Sequence, residues 1–275
     1  PGTVRNVRVP DHRELPDTLA QIDRSRSYQT YPPITVDRYR NTDGTETQVM
    51  LGPREISEGD LPQQNFVSKS LIYTHGYGIT AVSVNQVGAE GKPDVLAGHQ
   101  PLTQVSPDAP SALTFNGHNV DGHNDGDPRI YCGDSTSQPV VVNTTQSEFD
   151  YPVSGNTDSF THAGAGMAGF SIDNGFDKLA TSLTQFGGFD LFLTNAVTPD
   201  SRVLMHREIQ DRVQTLAPFL TVDQDPYVVA DPDTNHLMWI EDAYVTSDRF
   251  PESFKQGSAV GNIGAGVSYA RNTVK

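Results

Sequence analysis

Alternating apolar and polar positions predict a set of short antiparallel strands. The segments 34–40 (ITVDRYR) and 45–51 (TETQVML) alternate with the two-residue period of a strand, and Asp43-Gly44 between them is typical of a hairpin turn. A further strand is predicted at 79–87 (ITAVSVNQV), directly after the stretch SLIYTHGYGI at 70–79. Shorter strands are predicted at 128–132, 139–143, 227–231 and 236–244.

Apolar positions that recur every three or four residues predict helices elsewhere in the chain. The clearest pattern covers 198–220, where Thr198 suits the N-cap, Pro199 suits the first turn and Pro218 ends the helix. Charges of alternating sign predict ion pairs on a solvated face of this helix; they belong to Arg202, Arg207, Glu208, Asp211 and Arg212. Further helices are predicted at 12–28, 60–73, 175–187 and 188–197.

The order of these elements predicts the fold class. Strands and helices occur in separate runs, which favours an α+β fold of antiparallel strands and hairpins with several helices and many loops. The length of 275 residues fits one large domain. An alternative is two lobes, with 1–150 rich in strands and 151–275 helical before its last strands.

The charge balance excludes some classes of partner. The chain has 34 acidic and 19 basic residues, a formal net charge of −15, and no basic stripe is visible along it. Nucleic acid is therefore not expected as a partner, because binding its phosphates requires clustered cations, and an anionic membrane surface is an equally poor match. The single cysteine, Cys132, leaves no intramolecular disulfide and says nothing about the compartment.

The two ends of the chain lack the usual targeting features. The sequence has no apolar run of 18 or more residues and no signal peptide, and it begins at Pro1 rather than at a methionine. We therefore expect a processed product or an excised piece of a longer protein.

The stretch SLIYTHGYGI places His75 between an apolar run and two glycines. Such a histidine is a candidate base or ligand, but no serine or cysteine occupies a nucleophile elbow nearby. The preferred interpretation is a corner in which a helix ends at Tyr73–Thr74, a glycine adopts a left-handed conformation and a strand begins at Ile79. His75 would then bond to the backbone or to a carboxylate.

Two sets of acidic residues are candidates for other chemistry. In the tract NGHNVDGHNDGD, the side chains of Asp121, His123, Asp125 and Asp127 are candidate calcium ligands, although the spacing matches an EF-hand poorly. His118 and His123 with a carboxylate are an alternative transition-metal set, and a solvated loop is the preferred interpretation. No other cofactor is predicted.

Paired carboxylates recur near the C-terminal end. The pairs are Asp223/Asp225, Asp231/Asp233 and Glu241/Asp242, and two carboxylates at a suitable separation would serve glycoside hydrolysis. Glu241 and Asp242, with Arg202 and His75, are thus the candidate catalytic residues. Trp239 and Cys132 are better explained as packed side chains, because LMWI is continuously apolar and Cys132 has acidic rather than cationic neighbours.

Several motifs in the same order resemble a known family. The motifs LIYTHGYGI, PRIYCG, TNAVTPDSRVLMHREIQDRVQTLAPFL, WIEDAYVTSDRFP and YARNTVK make the chain similar to the uncharacterised protein family 0182 from about residue 5 to 275. The resemblance implies a large bacterial or archaeal membrane protein with several spans, of which this chain is the extracytoplasmic part. The chain departs from the family pattern at Cys132 and in the insertion at 116–127, and the family supplies no activity or catalytic residues.

The expected function is therefore a non-enzymatic extracellular domain of a multi-span protein in the cell membrane. Segments outside this chain would anchor it, and it would bind an envelope glycan or lipid, a partner protein or another copy of itself, with the oligomeric state left open. The alternatives are an envelope hydrolase that uses carboxylates and His75, and a calcium-dependent sensing or adhesion module that uses the loop at 121–127.

Overall fold

The computed structural model of the chain is a mixed α+β fold, as the sequence predicts. It describes residues 6–22, 27–41, 43–98, 109–110, 113, 128–153, 158–162, 164, 169–231, 237–259 and 263–274. The predicted metal loop at 121–127 lies outside the described residues.

The largest sheet is antiparallel and has the strand order β2-β3-β6-β7. Its strands are β2 (Thr35–Arg40), β3 (Glu46–Pro53), β6 (Ile79–Val87) and β7 (Pro93–Ala97). The predicted β2–β3 hairpin is confirmed, with Thr35 opposite Leu51 and Arg40 opposite Glu46. Gly44 turns the chain with a φ of 80°, which a residue without a Cβ adopts at little cost.

Apolar side chains cover both faces of this sheet. On one face Val49 and Leu51 pack with Val228 and Ala230 from near the C-terminus. On the other face Met50 packs with side chains from the N-terminal part of the chain, namely Leu15, Leu19, Tyr31 and Ile34. Because β3 is buried on both faces, the segment 49–51 is apolar without interruption instead of alternating.

The remaining strands form small antiparallel sheets. Two-stranded pairs are β1 (Gln29–Thr30) with β4 (Glu55–Ile56), β5 (Gly76–Tyr77) with β8 (Arg129–Ile130), β10 (Glu148–Pro152) with β11 (Asp158–Thr161), and β15 (Tyr227–Ala230) with β16 (Leu237–Ile240). Three-stranded sheets have the orders β12 (Phe170–Ser171), β13 (Arg202–Leu204), β9 (Val140–Val142), and β14 (Thr221–Val222), β17 (Ala243–Ser247), β18 (Tyr269–Val274). The predicted strands at 128–132 and 139–143 therefore exist but pair with other segments.

The helices are short. They are α1 (Leu15–Ile22), α2 (Gly175–Gln185), α3 (Asp190–Leu193) and α4 (Ile209–Leu216), with 3₁₀ turns at Glu58–Asp60 and Ala89–Gly91 and a π-helix at Ser68–Ile72. The predicted helix at 60–73 begins only after Asn65, whose side-chain oxygen accepts a hydrogen bond from the Ser68 amide. The predicted helix at 188–197 is reduced to α3.

The predicted helix at 198–220 is wrong over its first half. Val203 lies in strand β13, opposite Val141, and only 1% of its surface is exposed. His206 has a φ of 50°, a left-handed conformation that a right-handed helix excludes. The helix therefore begins only at Ile209, and the burial that Val203 gains in the sheet outweighs local helical periodicity.

Candidate functional site

The THGYG stretch forms the predicted corner between a helix and a strand. The π-helix ends at Ile72, the short strand β5 follows, Gly78 has a φ of 73°, and β6 begins at Ile79. Gly76 is required by close approach, because a Cβ at this position would overlap the carbonyl oxygen of Arg54. The glycines of this motif are thus explained by backbone packing.

His75 lies inside this corner, with 1% of its surface exposed. Its Nδ1–H donates to the carbonyl oxygen of Gly76 at 3.0 Å, and its ring centroid is 4.7 Å from that of Tyr131. Nε2 has no hydrogen-bond partner among the described residues. Burial, aided by the positive charges of Arg129 and Arg207, lowers the pKa of His75 to about 3, so the ring is neutral at physiological pH.

A network of buried polar groups surrounds the corner. Glu148, 1% exposed, accepts hydrogen bonds from the Thr74 hydroxyl, from the Tyr131 hydroxyl at 2.9 Å and from the Gly164 amide at 3.1 Å. Arg207, 3% exposed, donates to the carbonyl oxygen of Thr74. These bonds fix the corner to segments that are distant in the sequence.

Arg207 corrects one prediction from the sequence. Instead of forming an ion pair on a solvated helix face, its guanidinium donates to the carbonyl oxygens of Tyr131 at 2.7 Å and Gln138 at 2.8 Å. Arg207 precedes helix α4 and is buried, and burial lowers its pKa to about 10. Five donors in a rigid fork suit a site that presents several carbonyl oxygens.

A second buried carboxylate, that of Glu55, holds the loop that follows β8. Its oxygens accept hydrogen bonds from the amides of Asp134 and Ser135 and from the hydroxyl of Thr136, each at 2.8 Å. Burial raises the pKa of Glu55, and these three donors oppose that rise. Nothing in the local sequence indicates this role, because the partners are about 80 residues away.

The other predicted catalytic residues lie on separate elements. Arg202 is in β13 and donates to the carbonyl oxygens of Pro199 and Ser201. Glu241 and Asp242 connect β16 to β17. Cys132 is half-buried, and its sulfur accepts a hydrogen bond from Arg212 at 3.4 Å. A hydrolase built on His75, Arg202, Glu241 and Asp242 therefore stays a prediction.

Two of the predicted carboxylate pairs do meet in space. Strand pair β14–β17 ends with Val222 opposite Ala243, and pair β15–β16 begins with Tyr227 opposite Ile240. Between these pairs, residues 223–226 face only residues 241–242, and the amide of Asp223 donates to the carbonyl oxygen of Asp242 at 2.7 Å. This interruption, called here the ribbon break, collects Asp223, Asp225, Glu241 and Asp242.

Helix α2 turns its apolar side outward. The apolar stripe consists of Phe176, Leu179, Ala180 and Leu183, which share one helix face. Phe176 is 78% exposed and Leu183 is 47% exposed. The buried residues are instead Thr181 and Ser182, on the opposite face.

Polar contacts hold α2 in this orientation. The Ser182 hydroxyl donates to the carbonyl oxygen of Gly188 at 2.6 Å and accepts from the amide of Phe192 at 3.2 Å. Lys178 donates through Nζ to the carbonyl oxygen of Thr194 at 2.8 Å. The neighbouring helix α3 also exposes a large side chain, that of Leu193, at 71%. An exposed apolar face of this kind is typical of a surface that binds another molecule.

Other features of the described residues are quickly stated. Within the described ranges, no group of three or more His, Cys, Asp or Glu side chains is placed to hold a metal ion. The helices described there are too short or too polar to cross a bilayer. A surface hollow of about 470 Å³ is lined by residues 8–13 and contains none of the predicted site residues.

The fold and the predicted motifs agree with a known family of proteins. The model of an uncharacterised protein family, UPF0182, matches residues 1–275. The chain belongs to this family, as the resemblance in its motifs implies. No solved structure matches the chain.

Curated relatives carry the same family name. A UPF0182 protein of Geobacter sp. (strain M21) is 37% identical over 274 residues, which is 100% of this chain and 28% of the relative. A UPF0182 protein of Moorella thermoacetica is 34% identical over 276 residues, again 100% of this chain and 28% of the relative. One of Sulfurovum sp. is 36% identical over 275 residues, 99% of this chain and 27% of the relative. The chain thus spans little more than a quarter of the length of these relatives.

Proposed function

We propose that this chain is an extracytoplasmic docking domain of a membrane-anchored protein, and that the apolar stripe of α2 binds the remainder of the same polypeptide. The observation that carries the proposal is the outward orientation of Phe176 and Leu183 on a helix whose polar face is buried. An amphipathic helix normally buries its apolar face, so the stripe indicates a missing partner.

The occupant is argued from the length of the relatives. The matched region of the Geobacter protein is 28% of that protein, so most of its polypeptide lies outside the region that corresponds to this chain. A covalently connected partner has a high effective concentration, and a small apolar stripe is then enough for stable docking. The net charge of −15 argues against an anionic lipid surface as the occupant.

The docking proposal is tested by site-specific photo-crosslinking in the full-length polypeptide. A benzophenone amino acid replaces Phe176, and mass spectrometry identifies the crosslinked peptide. The control carries the same group at Gln185, which is exposed on the opposite side of α2. The proposal expects crosslinks from position 176, and not from 185, to segments outside the 275 residues. Crosslinks to lipid or to a second copy of this domain would contradict it.

The extracytoplasmic location is tested separately with a membrane-impermeant maleimide. Phe254 is 98% exposed, so a cysteine placed there reacts without opening the fold. Phe254→Cys is introduced together with Cys132→Ala, and intact cells are compared with permeabilised cells. The proposal expects labelling in intact cells whose outer layers admit the reagent. Labelling only after the cytoplasmic membrane is permeabilised would place the domain inside.

A further inference from the structure

The ribbon break contains a buried carboxyl group without a partner. Glu241 is 9% exposed, and neither of its carboxylate oxygens has a hydrogen-bond partner among the described residues. An ionised carboxylate in such a place loses hydration and gains no donor in exchange. The group is therefore unfavourable when charged, and this does not depend on the acids around it.

The charged groups that act on Glu241 are all acidic. They are Asp242 in its own turn, Asp223 and Asp225 across the ribbon break, and Asp134 from the loop after β8. Glu208, which precedes α4, also acts on Asp134. Burial, followed by these negative charges, raises the pKa of Glu241 to about 7.

A proton fits this site better than a metal ion. A bound divalent cation requires several oxygens that converge on one point, and the described residues contain no such group of three or more acidic, histidine or cysteine side chains. A proton requires a single carboxyl oxygen and removes one negative charge from the cluster. It thereby relieves both the desolvation of Glu241 and its repulsion from Asp223.

We propose that the ribbon break is a proton-dependent switch: Glu241 binds a proton while the break is closed, and release of this proton to solvent separates residues 223–226 from residues 241–242. The opening restores water to the Glu241 carboxylate and increases its distance from Asp223 and Asp225. The segments that move are short connections between strand pairs, so the paired strands themselves need not break. The switch is independent of the apolar stripe and of the docking proposal.

The switch is tested by hydrogen exchange with mass spectrometry near pH 5.5 and near pH 8. The comparison is between the wild-type chain and Glu241→Gln, which is isosteric with the protonated acid. Wild-type protection of peptides that cover 221–230 and 237–247, after correction for the intrinsic pH effect, is expected to be roughly tenfold lower near pH 8. Glu241→Gln is expected to keep its protection at both values.

Matched measurements make the test decisive. Glu14→Gln changes an exposed glutamate and is expected to behave like the wild type. If wild type and Glu241→Gln lose the same protection, the switch is wrong. If calcium raises protection in the wild type but not in Glu241→Gln, the ribbon break is a cation site instead.

A measurement on the unmodified sequence removes any dependence on the variant. Carboxyl carbon-13 labelling of the glutamates allows each to be titrated by nuclear magnetic resonance. One glutamate is expected to titrate near pH 7, and its signal is assigned by its loss in Glu241→Gln. If every glutamate carboxyl titrates below about pH 5.5, as ordinary side chains do, the proposal fails.

Discussion

The carboxylate of Glu55 occupies the space that a side chain at position 133 would fill. A Cβ built on Gly133 overlaps both carboxylate oxygens of Glu55, and those oxygens hold the amides of Asp134 and Ser135. Gly133 and Glu55 thus form a single packing unit between β4 and the loop after β8. Neither residue can change size without moving the other.

Gly133→Ala is therefore expected to destabilise the protein strongly. Overpacking costs about 1–3 kcal/mol, and displacement of Glu55 adds the loss of hydrogen bonds of about 1 kcal/mol each. Urea denaturation followed by fluorescence gives the free energy of unfolding. Gly59→Ala is the control, because no atom lies within 4 Å of a Cβ at that position. Equal stability of the two variants would contradict the packing unit.

Arg207→Lys is expected to lower the free energy of unfolding by roughly 2–4 kcal/mol. A single ammonium group cannot reach the carbonyl oxygens of Thr74, Tyr131 and Gln138 together, and buried acceptors would lose their donors. Arg212→Lys tests the same chemical change at an exposed position and is expected to stay within about 0.5 kcal/mol of wild type. A small effect at Arg207 would show that the network around the corner contributes little.

Ser182→Ala is expected to loosen the junction of α2 and α3 at a cost of about 1–3 kcal/mol. The substitution removes the donor to Gly188 and leaves the amide of Phe192 without its acceptor. Thermal unfolding by calorimetry measures the effect. Thr184→Ala is the matched control, since the Thr184 hydroxyl bonds to Ala180 within the same helix and is exposed. If Ser182→Ala unfolds at the wild-type temperature, these two bonds do not hold the helix in place.

The buried imidazole of His75 is expected to make the protein acid-sensitive. Its pKa is lowered from 6.5 to about 3 in the folded state, so the unfolded chain binds a proton that the folded chain does not bind between these values. The resulting contribution to stability is present above pH 6.5 and is lost as the pH falls toward 3, by at most about 1.4 kcal/mol per pH unit.

The check is a series of urea midpoints between pH 7 and pH 4.5 for wild type and His75→Asn. The asparagine can still donate to the carbonyl oxygen of Gly76 but does not titrate. We expect a lower stability near pH 7 and a shallower loss in acid for the variant. Parallel curves would mean that His75 is protonated as easily in the folded chain as in the unfolded one.

Local patterns predicted the elements whose partners are also local. The β2–β3 hairpin could be predicted because Asp43 and Gly44 define its turn and the strands alternate on both sides. The helix predicted over 198–220 was wrong because Val203 pairs with Val141, a partner that periodicity cannot reveal. Sequence patterns of this kind record neighbours within a few residues.

The candidate sites show the same division. The sequence correctly placed apolar residues on one face of α2, but it could not show that this face points outward, because orientation depends on what Ser182 contacts. Glu241 and Asp242 were candidates as an acidic pair, whereas the contribution of Asp134 required the fold. Glu148 and Arg207 were missed because their partners at position 74 lie 74 and 133 residues away.

The largest sheet cannot complete its packing until most of the chain exists. The Tyr39 hydroxyl accepts a hydrogen bond from the amide of Ala230, and Val49 and Leu51 are covered by the same C-terminal strand. At bacterial and eukaryotic synthesis rates, roughly 10–40 s pass between the appearance of β3 and that of its cover. During that interval a nascent chain carries an uncovered, aggregation-prone strand surface. Folding of this domain is consequently a late event in biosynthesis, and a truncation before residue 230 yields a chain that cannot shield β3.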